Sequence, residues 1–315
     1  MGRGLRGILV AVLLAALGAG CGQGGATRFS GGDVLDPGGG GELSYAIPAE
    51  PRGLDPLRAA TPSAQTVDRQ IFEPLVARVT PPYGGPRLPG LVLGWSHSGD
   101  LRVWSLRLRP GVRFQDGEPF NSAAVVANAR RWIVDSAGQL AVPGLVAADA
   151  PRPALVRLIL AQPTPLLPRE LADPRLGIVS PAALAPGGAG LTRAQQAGTG
   201  PYQLRGRAAA VVILERNRGW WGSGAGLGPE LDQIAFRAVQ DAGERLALLR
   251  EGAVRVAADL DPAAARSLRG DPLFTAVGAA TGHALGLERS VRGIRSARPA
   301  PLSGVWLAIL HEGGG

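Results

Sequence analysis

Cys21 is the only thiol in the 315-residue chain, and His97, His283 and His311 are the only imidazoles. No histidine stands four residues from another, the spacing that sets two imidazoles over one zinc ion on a helix face. Serine is common, but neither a Gly-x-Ser-x-Gly elbow nor a Ser-x-x-Lys pair occurs, so no nucleophile comes with its base. The glycine-rich stretches 38–41 and 222–228 lack the Gly-Lys-Ser/Thr ending of a phosphate-cradling loop. No catalytic residue, cofactor or metal ligand is therefore expected. The chemistry that remains is at Cys21. It follows an apolar run, residues 8–17, preceded by Arg3 and Arg6 and closed by Gly18-Ala19-Gly20. That is the basic, apolar, small-residue order of a secretory leader. The run is too short and too rich in glycine to span a bilayer comfortably, although an incidental cysteine behind an uncleaved anchor helix is the competing reading.

Leu17-Gly18-Ala19-Gly20-Cys21 resembles the lipobox of bacterial lipoproteins, with leucine four rather than three places before the cysteine. The resemblance implies that residues 1–20 are removed and that Cys21 carries a lipid anchor. Residues 22–41, dominated by glycine with Ser, Asp and Pro, then read as a flexible tether.

Composition narrows the class. With 45% hydrophobic residues the chain can bury a core of one large or two medium domains. The net charge is +8, and every one of the 33 basic residues is arginine. This bias follows GC-rich coding, and the arginines are scattered rather than interleaved with aromatics, so nucleic acid is not an expected partner. A weak attraction to anionic headgroups suits a tethered protein. With a single cysteine there is no intrachain disulfide.

From Glu42 onward, short apolar segments alternate with turn signals. Leu43, Tyr45 and Ile47 alternate as in a half-buried strand. Thr61-Pro62 opens a helix whose Val67, Ile71 and Leu75 share a face. Trp104, Leu106 and Leu108 line one side of a strand over residues 101–109, which Pro110-Gly111 should turn into a partner strand, Val112-Arg113-Phe114. Asn121 caps a helix with Val125, Ala129, Trp132 and Ile133 inward. Ser180-Pro181 starts a short helix. Strands are expected at 211–215, 231–239 and 254–258, a helix from Asp241-x-x-Glu244 to Gly252, and another between Asp261-Pro262 and Gly270. Helices and strands alternate irregularly, which indicates a mixed α/β domain.

Several ordered segments together resemble the extracytoplasmic solute-binding proteins of peptide and nickel ABC transporters, family 5. They are Leu54-Asp55-Pro56, Ile71-Phe72-Glu73-Pro74-Leu75-Val76, Leu88-Pro89-Gly90-Leu91, the run from Trp104 to Phe114, Gln115-Asp116-Gly117-Glu118-Pro119-Phe120, Gly198-Thr199-Gly200-Pro201-Tyr202, and Leu214-Glu215-Arg216-Asn217 with Trp220-Trp221. The resemblance covers about residues 42–285. It implies an α/β, periplasmic-binding-protein-like two-lobed clamp (type II), with mainly the first lobe present because family members are considerably longer. Residues 42–240 would form that lobe, 241–287 the hinge region and the start of the second lobe, and 288–315 an atypical arginine-rich tail.

The implied activity is capture of a peptide or other small polar solute for ABC permease subunits, at the outer face of the cytoplasmic membrane or in the periplasm. The resemblance places ligand against Ala60, Thr61, Pro62, Ser63 and Ala64, which would offer backbone groups in strand-like fashion. Pro110-Gly111 and Asp116-Gly117 read as turn chemistry, and Trp104, Trp132, Trp220 and Trp221 as core aromatics. Two other readings stand beside this one: an envelope lipoprotein that keeps the lobe as a protein-interaction module, and an exported hydrolase with a convergent nucleophile.

Overall fold

Two β-sheets, each with its own apolar core, organise the chain. The computed structural model describes residues 41–77, 90–184, 197–225, 228–229, 231–261, 264, 268, 274–278 and 285–289. Outside these residues lie the leader with Cys21, the tether through residue 40, Leu88-Pro89, His283, His311, the tail beyond Arg289 and most of the expected helix between Asp261 and Gly270.

Strand β1, Glu42–Ile47, is central to the larger sheet. Leu43, Tyr45 and Ile47 enter one apolar cluster and Ala46 another, so the strand is covered on both faces, as parallel pairing on both sides requires. Helix α1, Pro62–Ile71, starts where expected: Thr61 Oγ1 accepts from the Ala64 N–H at 3.2 Å and Pro62 opens the first turn. It stops at Ile71 and does not reach Leu75. Phe72 is extended (φ −117°, ψ 127°), and Pro74 both lacks a donor and biases Glu73 away from the helical region. Leu75 is fully buried all the same, but in the second core.

That second core underlies the smaller sheet. Strands β2 (Val92–His97) and β3 (Val103–Leu108) are followed by α2 (Ser122–Val134), α3 (Ser136–Ala141), β4 (Leu145–Arg152) and β5 (Leu155–Leu160). The four strands are antiparallel in the order β2-β3-β5-β4. Asn121 caps α2 through Oδ1, which accepts from the Ala124 N–H at 3.0 Å. The helix lays Val125, Ala129 and Trp132 against Trp104, Leu106, Val156 and Leu158. Each Val or Leu among them, wholly buried, contributes roughly 1.5–3 kcal/mol.

The strand pair expected across Pro110-Gly111 does not form. Both edges of β3 are already occupied, by β2 and β5. Residues 112–114 instead fold onto 118–120 around Asp116-Gly117: Phe114 N–H donates to Glu118 O at 2.8 Å and Phe120 N–H to Val112 O at 3.0 Å. Gly117 at φ 89° makes this reversal.

A single turn, α4 (Leu167–Glu170), and 3-10 turns at Pro174–Leu176 and Pro181–Ala183 lead back to the larger sheet. The last of these lacks the expected serine cap, since the Ser180 side chain makes no capping bond. Strands β6 (Tyr202–Ala208), β7 (Val211–Arg216) and β8 (Gln233–Ala238) form an antiparallel meander whose last member lies parallel to β1. Helix α5, Ala242–Glu251, then crosses to β9, Val256–Ala257, parallel to β1 on its other side. Its caps are those read from the sequence: Asp241 Oδ1 accepts from Glu244 N–H at 2.7 Å, and Gly252 closes it at φ 75°. Strands β10 (Phe274–Gly278) and β11 (Leu285–Arg289) complete the order β10-β11-β9-β1-β8-β7-β6.

Candidate functional site

In an open α/β sheet, ligands sit beyond the carboxyl ends of parallel strands, where successive connections diverge. Here β8, β1 and β9 are parallel neighbours and their carboxyl ends lie side by side. The chain leaving β1 is joined to the start of α1, because Ser63 Oγ accepts from the Ala49 N–H at 3.3 Å. Ala60, Thr61 and Pro62 are exposed at this rim, whereas Ser63 and Ala64 are buried beneath it. The five residues expected to face solute thus divide into an exposed edge and its support.

Arg245 secures the other two strand ends. Its guanidinium is buried and donates to four carbonyl oxygens: Val239 (2.7 Å), Gln240 (2.8 Å), Ala258 (2.9 Å) and Asp259 (2.6 Å). Burial lowers its pKa, against the opposing charges of Asp259 and Asp241. Sequence patterning did not single it out, since an arginine on a helix normally points to solvent.

Beneath the rim lies a charged cluster. Arg131 of α2, almost wholly buried, pairs closely with Asp55, and Asp55 Oδ1 accepts from Leu57 N–H at 3.1 Å. Arg58 pairs with Asp135 at 2.6 Å and Arg207 with Glu50 at 2.8 Å. Asp68 of α1 is 2% exposed, and neither carboxylate oxygen has a hydrogen-bond partner. Burial holds its carboxyl well above the usual range, the Asp55 charge adds to the effect and Arg207 opposes it. The signal for Asp68 was present in the sequence, as an acid between Val67 and Ile71 on the inward stripe.

The landmark motifs hold the frame together. Gln115 is a clamp: its Nε2 donates to Tyr202 O (2.7 Å), Ile71 O (3.3 Å) and Gly200 O (3.3 Å), while Oε1 accepts from Gly198 N–H at 3.1 Å. Asn128 pairs with both backbone groups of Val179, and Asn217 Nδ2 donates to Gly200 O at 2.9 Å. Gly198 and Gly200 run hard against the end of α1; a methyl group on Gly198 would lie 2.0 Å from Ile71 O. Trp104, Trp132 and Trp220 are buried, as expected of core aromatics. Trp221 is half-buried, and its Nε1 donates to Glu73 at 2.9 Å.

Residues 88–289 match the model of bacterial extracellular solute-binding proteins, family 5 Middle. The chain belongs to that family. Its resemblance to glutathione-binding protein GsiB of Escherichia coli O1:K1 / APEC is 32% identity over 225 residues, 69% of this chain and 42% of the relative. With GsiB of Escherichia coli strain K12 it is 34% over 172 residues, 53% and 33% of the respective chains. The chain therefore spans less than half the length of these curated relatives. Among solved structures, an ABC transporter substrate-binding protein from Sinorhizobium meliloti superposes with a TM-score of 0.64 at 25% identity, covering 75% of this chain and 48% of the other. DppA from Helicobacter pylori, solved in complex with the peptide STSA, gives 0.60 at 20%, covering 76% and 51%. The fold of this family 5 member is thus the α/β fold of periplasmic binding proteins, over about half their length. Among the described residues no helix is long and apolar enough to cross a membrane.

Proposed function

We propose that this chain is the solute-capturing component of an ABC importer for peptides or similar polar solutes, held outside the cytoplasmic membrane by a lipid on Cys21. In this reading residues 42–240 form the first lobe, residues 241–287 lead through the hinge into the second, and solute lies along Ala60, Thr61 and Pro62 with Ser63 and Ala64 behind them. The observation that carries it is the family match over residues 88–289, joined to a rim where three parallel strand ends and the start of α1 converge. Relatives named for glutathione and a neighbour solved with a peptide point to short peptides as the solute class. Main-chain recognition suits such a class, since backbone hydrogen bonds are indifferent to side chains. The permease subunits of the importer are the proposed protein partners.

Isothermal calorimetry of the full chain against glutathione and a panel of di- to pentapeptides tests the proposal. Saturable binding that weakens more in Thr61→Pro than in Thr61→Ala supports it, because both lose the helix cap and only proline loses the backbone donor at the rim. Silence across the whole panel rejects solute capture by this chain. Acylation is tested separately, by mass spectrometry of the envelope-derived protein and of Cys21→Ser.

A further inference from the structure

Glu73 stands where the two cores meet. Ile71 and Phe72, just before it, belong to the core of the larger sheet, and Leu75, just after it, to that of the smaller. The carboxyl is buried and faced from both sides. Trp221, which follows β7 in the chain but packs against the core of the smaller sheet, donates to it through Nε1 at 2.9 Å, and the Trp220 indole and Thr199 hydroxyl, from the larger sheet's connections, face it without completing a well-formed hydrogen bond. From the smaller sheet comes Arg109, one residue beyond β3. Its guanidinium lies 4.2 Å from the centre of the Trp221 ring, its Nε donates to Gly90 O at 3.1 Å, and its Nη2 is buried without a partner. Arg109 is the charged group that acts on Glu73, and no second carboxylate does so among the described residues.

We propose that Glu73 and Arg109 form a proton-controlled latch between the two sheets. When Glu73 is protonated, Arg109 rests on the Trp221 face. When it is ionised, the free Nη2 turns to the carboxylate and the guanidinium leaves the indole. The proton passes to solvent, and no bond other than O–H is broken. Burial is what brings this change into an accessible range, pushing the carboxyl up to about 7 against the hydrogen bond of Trp221, the Thr199 hydroxyl and Trp220 indole that face it, and the charge of Arg109. The movement reaches the rim through Thr199, which sits between the two glycines packed on the end of α1. The link to solute affinity rests on the proposed function; the latch itself does not.

Tryptophan emission of the full chain, followed from pH 5 to 9 without solute, tests the latch. A one-proton transition centred near pH 7 is expected, lost in Glu73→Gln and reduced in Trp221→Phe. A flat profile in the unaltered chain, or the same transition in Glu73→Gln, overturns it. A second measurement needs no substitution. Hydrogen exchange at the amides of residues 197–202, corrected for intrinsic rates, should differ between pH 6 and pH 8. Equal protection at the two pH values overturns the latch. Where a peptide binds, affinity that falls with pH in the unaltered chain but not in Glu73→Gln extends the latch to capture, and parallel profiles confine it to the junction.

Discussion

Replacing Gly198 with alanine puts a methyl carbon where the fold has no room. The new atom would stand 2.0 Å from Ile71 O and 2.7 Å from Phe72 Cδ1, well inside the roughly 3.5–4.0 Å of an ordinary carbon contact. The nearest obstacle is helix backbone, which cannot rotate aside as a side chain can. Relief must come from shifting Gly198 itself, and that breaks the two bonds it makes with Gln115: Gln115 N–H to Gly198 O at 2.9 Å, and Gly198 N–H to Gln115 Oε1 at 3.1 Å. Overpacking of this kind costs about 1–3 kcal/mol, and each hydrogen bond lost adds about 1 kcal/mol. The expected loss is about 3–5 kcal/mol, read as a lowered urea midpoint at unchanged slope. Gly206→Ala is the matched control, since nothing lies within 4 Å of its added methyl, and it should fall within about 0.5 kcal/mol of the parent. A Gly198→Ala protein as stable as its control would refute the claim that this loop is pressed against the end of α1.

Other substitutions probe separate parts of the frame. Arg245→Met strips four carbonyl oxygens of their donor and should cost about 3 kcal/mol or more in urea unfolding, whereas a purely electrostatic role would let Arg245→Lys restore most of it. The β6–β7 turn places Ala209 and Ala210 at φ 23° and 65°, so the pair Ala209→Asn with Ala210→Gly should raise the melting temperature, by about 1 kcal/mol in stability. Asp68 keeps its proton in the fold far more readily than in the unfolded chain, so its contribution declines as pH rises above the ordinary carboxylate range. Asp68→Asn should therefore flatten the fall of melting temperature as pH rises from about 4, with the two proteins alike only near about pH 3, below the ordinary carboxylate range. Thr61→Ala removes the α1 cap and should cost about 1 kcal/mol by thermal melting.

Local order was legible in the residues wherever a cap or a period of two spoke for itself. Thr61, Asn121, Asp241 and Gly252 mark helix ends that the structure reproduces. Signals that depend on distant partners mislead. Pro110-Gly111 looks like a hairpin connection, but whether β3 has a free edge is decided by β5, about fifty residues later in the chain. The β4–β5 pair passed unnoticed because Pro151 and Pro153 interrupt the alternation. For the site, the motifs pointed to the right segments but not to their work. Gln115, Asn128 and Asn217 spend their amides on backbone groups far off in sequence, and only coordinates reveal that. Asp68 and Arg245 place ionisable groups on faces where patterning expects none.

Strand β1 borrows both of its neighbours from the far end of the chain: Glu42 aligns with Gln233, and Tyr45 with Val256. During synthesis the middle strand of the larger sheet must therefore wait, unpaired, until residues 233–257 have emerged, while the smaller sheet between residues 92 and 160 can assemble from contacts made along the way. Closing so wide a loop is slow, and a nascent chain stopped before residue 233 would display a bare apolar ribbon to whatever chaperone or protease meets it first.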